Sequence, residues 1–100
     1  MDRIPVNIWD DYWDDDSGKP QVTSAYVEDH GIPDGTKRLM IGVVIGKLRE
    51  LDLQGVEFEP KGDEIEFRGL RHGRRERLVE ELNAARLSFE GVPFDFYSES

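Results

Sequence analysis

The residues best suited to chemistry stand together near the start of the chain, in Trp9-Asp10-Asp11-Tyr12-Trp13-Asp14-Asp15-Asp16. These positions hold five carboxylates, both tryptophans and one of the three tyrosines. Carboxylates at that density need water or cations, so the segment is not ordinary core. Disordered linkers are poor in aromatic residues, so it is not ordinary linker either. Two chemistries suit such a set. Carboxylate oxygens can hold a hard cation. Alternatively, large rings anchor a protein partner while the aspartates steer its basic surface into place. The calcium-loop pattern tests the first. It requires acids at its first, third and fifth positions, glycine at the sixth and glutamate at the twelfth. Placing Gly18 at the glycine position puts Trp13 first and Ser24 last, so both terminal ligands fail. No metal site is assigned, and Trp9, Asp10, Asp11, Tyr12, Trp13, Asp14, Asp15 and Asp16 are read as a partner-binding segment. A competing reading folds Trp9 and Trp13 back over the domain as a lid and leaves the aspartates in water.

A second cluster has the opposite sign. Residues 68–77 carry Arg68, Arg71, Arg74, Arg75 and Arg77 against one acid, Glu76. They straddle the expected start of a helix, where the helix dipole disfavours each exposed cation by ~0.3–1 kcal/mol. A bound phosphate or carboxylate would offset that cost, which makes these arginines an alternative anion-binding site. The plainer explanation pairs them internally with Asp14–Asp16 or with nearby glutamates. Nucleic acid is the less favoured partner, because the chain carries a formal net charge of −9.

Catalysis has little support. The two histidines are His30 and His72. His30 follows Glu28-Asp29, as an acid–base or metal cluster would require, but Gly31-Ile32-Pro33 beside it reads as a turn. The serines lie in no nucleophile-elbow context, and no phosphate-cradling glycine loop occurs. The chain is therefore read as a non-enzymatic protein, with no catalytic residue and no cofactor.

The whole chain frames these segments. Its 100 residues are 37% hydrophobic and 35% charged, which suits a single domain over residues 1–100 with one modest core. There is no cysteine, hence no disulfide and no thiolate metal site. The first residues lack the basic start and apolar run of a signal peptide. The longest apolar run, from Leu39 to Gly46, is far short of the ~18 residues of a membrane span. A cytoplasmic protein is expected, with a basic protein surface as partner, no membrane association, and a homodimer allowed. Charge is segregated along the chain: residues 1–36 hold nine acids against two bases.

The elements that must position these groups follow from periodicity. Ile4, Val6 and Ile8 alternate with Pro5, Asn7 and Trp9 and predict a first strand with one apolar face, after which the acidic segment and Ser17-Gly18-Lys19-Pro20 form a long loop. Residues 21–29 are rich in β-formers and predict a second strand. Ile41, Val44, Ile45, Leu48 and Leu51 fall on one helical face, flanked by Met40 and Val43, with Thr36 as the N-cap. Gly42 and Gly46 suggest close packing of this helix on the sheet. Val56, Phe58, Ile65 and Phe67 alternate with charged residues around Pro60-Lys61-Gly62-Asp63, a hairpin whose proline presets the turn. A second helix is expected from about Gly73 to Leu87, with Leu78, Val79, Leu82 and Ala85 inward and an Arg77–Glu81 ion pair outward. Phe89, Val92, Phe94 and Phe96 predict a last strand, with a bulge or edge at Gly91 and Pro93.

The order is β-β-α-β-β-α-β. It specifies an α+β fold with two helices packed on one face of a mostly antiparallel sheet of about five strands. Without its first strand the order is the ferredoxin-like one, β-α-β-β-α-β. That topology would hold only with the extra N-terminal strand at a sheet edge.

Overall fold

A computed structural model of the chain describes residues 2–12, 22–28, 31–70 and 74–98. For Asp10, Asp11 and Tyr12 it describes the backbone alone. Alternation builds the first strand, β1, Ile4–Tyr12: Ile4, Val6 and Ile8 are buried on one face. β1 is longer than its apolar pattern. It continues through Asp10 and Asp11, expected in a loop, because its backbone stays paired with β2, Val22–Val27. The antiparallel register runs from Val6 opposite Val27 to Tyr12 opposite Val22, with an irregularity between Asp10 and Tyr12. A bulge there absorbs one residue without ending the ladder.

Helix α1, Asp34–Leu51, buries Met40, Ile41, Val44, Ile45 and Leu48, the face that the periodicity specified. It starts two residues before the expected Thr36 cap. Pro33 stands at the N-cap with no side-chain hydrogen bond, and the N–H of Lys37 donates to the Pro33 carbonyl at 3.0 Å. Asp34 in the first turn complements the helix dipole instead. Gly42 and Gly46 do not pack closely on the sheet. Both are exposed, and a methyl group at either would meet nothing within 4 Å.

β3, Glu57–Lys61, and β4, Glu64–Arg68, form the expected hairpin. Its turn is Gly62-Asp63, with Gly62 at φ +64°, the primed geometry that matches strand twist. Pro60 is not in the turn but in β3, opposite Ile65. β3 is an edge strand, so a residue without an N–H is tolerated there.

Helix α2, Arg74–Ala84, buries Leu78 and Leu82 and is shorter than its apolar stripe suggested. It gives way to a turn in which Arg86 adopts a left-handed conformation, φ +52°. Gly91 and Pro93, expected at a bulge, belong to a second tight hairpin. β5, Ser88–Phe89, turns through Glu90 and Gly91, both at positive φ, into β6, Val92–Tyr97.

The result is an α+β fold with two helices and a six-stranded mixed sheet of order β3-β4-β2-β1-β6-β5. Strand β1 does not take an edge. It lies between β2 and β6, antiparallel to the first and parallel to the second, with Ile4–Asn7 opposite Phe94–Tyr97. The ferredoxin-like order, which required the extra N-terminal strand at an edge, is therefore not confirmed, and the sheet has six strands where about five were expected. Neighbouring strands in sequence usually pair in space, and β1 and β2 do so here.

One sheet face meets both helices. Ile4, Val6, Ile8, Ala25, Val27, Ile65, Phe67, Phe94 and Phe96 form a single core with the buried residues of α1 and α2. Phe67 is fully buried, whereas Phe58 on the edge strand is half-buried. The outer flank of β6 is closed by α2. Asn83 donates through Nδ2 to the Phe96 carbonyl at 2.9 Å, and the Phe96 N–H donates to Asn83 Oδ1 at 2.9 Å. Among the described residues, no helix is long and apolar enough to cross a membrane.

Candidate interaction surface

Strand parity decides which residues share the sheet face turned away from the helices. On β1 these are Pro5, Asn7 and Trp9; on β2, Val22, Ser24 and Tyr26. β4 contributes Glu64, Glu66 and Arg68, and β3 contributes Glu57, Glu59 and Lys61. β6 adds Asp95 and Tyr97. The face divides into two halves.

The half on β3 and β4 is ionic. Glu66, only 15% exposed at its side chain, sits between Lys61 Nζ at 2.9 Å and Arg68 Nη2 at 3.0 Å. The hydrogen bond from Lys61 is the main cause holding its carboxyl below the ordinary glutamate range, followed by the one from Arg68. Lys61 also lies 3.9 Å from Glu59. Both cations of this half therefore point at Glu66, and Glu57, Glu59 and Glu64 leave it acidic.

The half on β2, β1 and β6 is aromatic. Trp9 is 40% exposed, one of two large apolar residues exposed among those described. Its ring meets Tyr26 edge-on, with centroids 6.3 Å apart and planes at 71°. In register, Asn7 lies between Tyr26 on one neighbouring strand and Tyr97 on the other, and Trp9 is the next residue along β1 on the same face. Asn7 is 1% exposed and donates through Nδ2 to the Tyr26 hydroxyl at 3.0 Å. Among the described residues, nothing donates to its Oδ1. The Tyr97 hydroxyl hydrogen-bonds to the Glu28 carboxylate. Asp95 lies 3.7 Å from Arg3 at the margin.

Comparison finds no family model, no curated protein and no solved structure that matches the chain.

Of the expected partner-binding residues, Trp9 is on this face with its side chain described, and Asp10, Asp11 and Tyr12 continue the same strand towards the hairpin tip. Trp13, Asp14, Asp15 and Asp16 lie outside the described residues, as do His30, Arg71 and His72. Trp9 is in part covered and in part exposed.

The arginine cluster is dispersed by the fold. Arg68 is on the open sheet face, bound to Glu66. Arg74 and Arg77 border a groove with Leu51, Leu53, Leu70 and Leu78, between the end of α1 and the start of α2. Arg75 has a largely buried side chain and lies 3.7 Å from Glu76. The Arg77–Glu81 ion pair is not among those formed by the described residues, although both line that groove. No group of three histidines or carboxylates among the described residues is placed to hold a metal ion.

Tyr26, Tyr97 and Asn7 were not singled out from the sequence. Parity marks them once the strands are placed, because each alternates with a buried residue of its own strand.

Proposed function

We propose that this chain is a small, acidic, non-enzymatic interaction protein of adaptor or inhibitor type. It offers the β1–β2 hairpin and the adjoining open sheet face to a basic surface of a protein partner. The observation that carries the reading is the exposed Trp9, set on a helix-free sheet face beside an excess of carboxylates. Large rings with a charged rim are the usual make-up of a protein-binding patch. The net charge of −9 favours a basic partner and speeds its approach. The absence of cysteine from the sequence is compatible with a reducing cytoplasm.

Anion or nucleic-acid binding through the arginines ranks second. Arg74 and Arg77 favour it, since both are exposed beside the same groove. Arg68 is committed to Glu66, which weakens it.

Affinity capture from the native host separates the two. Basic proteins retained by the wild type and lost with a Trp9→Ala/Trp13→Ala variant are the expected result. Nuclease-sensitive material retained by that variant, and lost instead with Arg74→Gln/Arg77→Gln, would replace the first reading with the second.

A further inference from the structure

We propose that the open edge of β3 receives an extended basic segment of the partner as a further strand of the sheet. The inference rests on the proposed function for the charge of that partner and specifies how one of its segments docks. β3 has a single neighbour, β4. The two-residue turn makes Lys61 and Glu64 a hydrogen-bonded pair, and bonded and non-bonded pairs then alternate back along the hairpin. Glu59–Glu66 and Glu57–Arg68 are bonded pairs; Pro60–Ile65 and Phe58–Phe67 are not. Pro60 agrees with that phase, since it has no N–H to give β4. Residues at non-bonded pairs turn their backbone groups away from the neighbouring strand, here towards the open edge. Phe58 therefore presents an N–H and a C=O at the edge, and Pro60 a C=O. Neither residue enters the backbone hydrogen bonds that the described residues form outside helices and strands. An open cavity of about 580 Å³ lies against the same stretch, lined by Val56, Glu57, Phe58 and Glu59 with Glu66 and Arg68 of β4. The far side of the sheet offers no such edge, because β5 is two residues long and Asn83 occupies the flank of β6 beyond it.

Charge selects the occupant. A strand added antiparallel exchanges two hydrogen bonds with Phe58 through one residue of its own. The side chain of that residue falls beside half-buried Phe58. Its two neighbours fall opposite Glu57 and Glu59, on the helix-free face. Both glutamates are exposed. Glu57 is in none of the ion pairs among the described residues, and Glu59 has Lys61 no nearer than 3.9 Å. The segment that fits is therefore basic, apolar and basic in succession. A second copy of this chain does not fit. Centred on Phe58, self-pairing sets Glu57 of each copy opposite Glu59 of the other, and sliding by two residues sets Glu57 or Glu59 against itself. Like charges directly opposite destabilise a sheet. Pro60 adds to the discrimination, because it offers no donor to a strand that runs past it. The features that keep copies of the chain apart thus leave the Phe58 position open to a strand of opposite charge.

The test titrates the whole chain at low salt with a blocked Val-Lys-Val-Lys-Val peptide, followed by amide resonances and amide exchange. The controls are its glutamate counterpart and the same lysine peptide N-methylated at the central valine, which keeps the charge and removes the N–H that bonds Phe58. The lysine peptide should bind, shift the Phe58 amide and slow its exchange, and the glutamate peptide should not. N-methylation should weaken binding by roughly tenfold. Glu57→Gln/Glu59→Gln should weaken it by roughly threefold to tenfold, less as salt rises. Both positions are exposed, so circular dichroism and melting of that variant should show an intact fold. Equal binding of the methylated peptide, or protection at β1 in place of Phe58, would overturn strand addition and leave the acidic-surface function standing. Self-association of the chain alone with Phe58 protected would overturn the choice of occupant. No binding of the lysine peptide would overturn the site, while the capture experiment with the tryptophan variant reads the function separately.

Discussion

Asn83 should prove more important than an exposed asparagine at a helix end normally is. Its carboxamide imitates a neighbouring strand, donating to the Phe96 carbonyl and accepting from the Phe96 N–H, each at 2.9 Å. β5 covers only the first part of β6: Ser88 opposes Pro93, Phe89 opposes Val92, and the Phe94 N–H donates to the Leu87 carbonyl. Beyond that point Asn83 satisfies the outer flank of the strand. Asn83→Ala removes two neutral hydrogen bonds, each worth ~0.5–1.5 kcal/mol net. Water can partly replace them at this margin, so the expected loss is about 1–2 kcal/mol. For a domain of this size that lowers the melting temperature by roughly 5–15 °C. Urea denaturation should show the loss with an unchanged slope, and amide exchange should accelerate at Phe96 more than at its neighbours. The freed flank is also a template for strand pairing, so the variant should associate more readily at high concentration. A loss within the ~0.5 kcal/mol of an ordinary surface substitution, with Phe96 exchange unchanged, would refute the reasoning.

Three further outcomes are expected. Phe67→Ala should cost about 3–5 kcal/mol and half-buried Phe58→Ala clearly less, whereas equal losses in denaturation would contradict the edge position of β3. The depressed carboxyl of Glu66 binds its proton more readily in the unfolded chain, so its contribution is present above the ordinary value near 4.5 and fades as pH falls through the lower folded value. Glu66→Gln should flatten the acid limb of a melting-temperature profile in that window, and a parallel shift of the whole profile would count against it. Gly69→Ala should destabilise by more than ~1 kcal/mol, because Gly69 has φ +95° and a Cβ there would lie 2.4 Å from the Gly55 carbonyl oxygen. A neutral result in thermal melting would mean that this turn shifts freely.

The legible parts of the fold were those written in side-chain periodicity. Ile41, Val44, Ile45 and Leu48 marked α1, and Ile65 and Phe67 marked the inward face of β4. What escaped depends on the backbone. The extension of β1 through Asp10 and Asp11 is carried by main-chain pairing with β2, to which carboxylates contribute no pattern. The place of β1 inside the sheet depends on which strand its second flank meets, a long-range choice that local alternation does not encode. The arginine segment read as one cluster because its members are close in sequence. A strand, a connection and a helix then turn Arg68, Arg74 and Arg75 to different surroundings. Trp9 was recognisable by type, but its companions Tyr26 and Tyr97 come from strands far apart in the chain.

The insertion of β1 between β2 and β6 has a consequence for the order of events as the chain is made. Ile4 pairs with Phe94, a partner that emerges from the ribosome ninety residues later. Until β6 arrives, one flank of β1 has only solvent for its hydrogen-bonding groups, and the apolar face of Ile4, Val6 and Ile8 is only partly roofed. The β1–β2, α1 and β3–β4 portion can associate early, yet the middle of the sheet closes last. Closing a loop of ninety residues is entropically slow. Folding should therefore be late and all-or-none, committed by the final few residues of β6, and loss of that strand would open the centre of the molecule and not merely trim its edge.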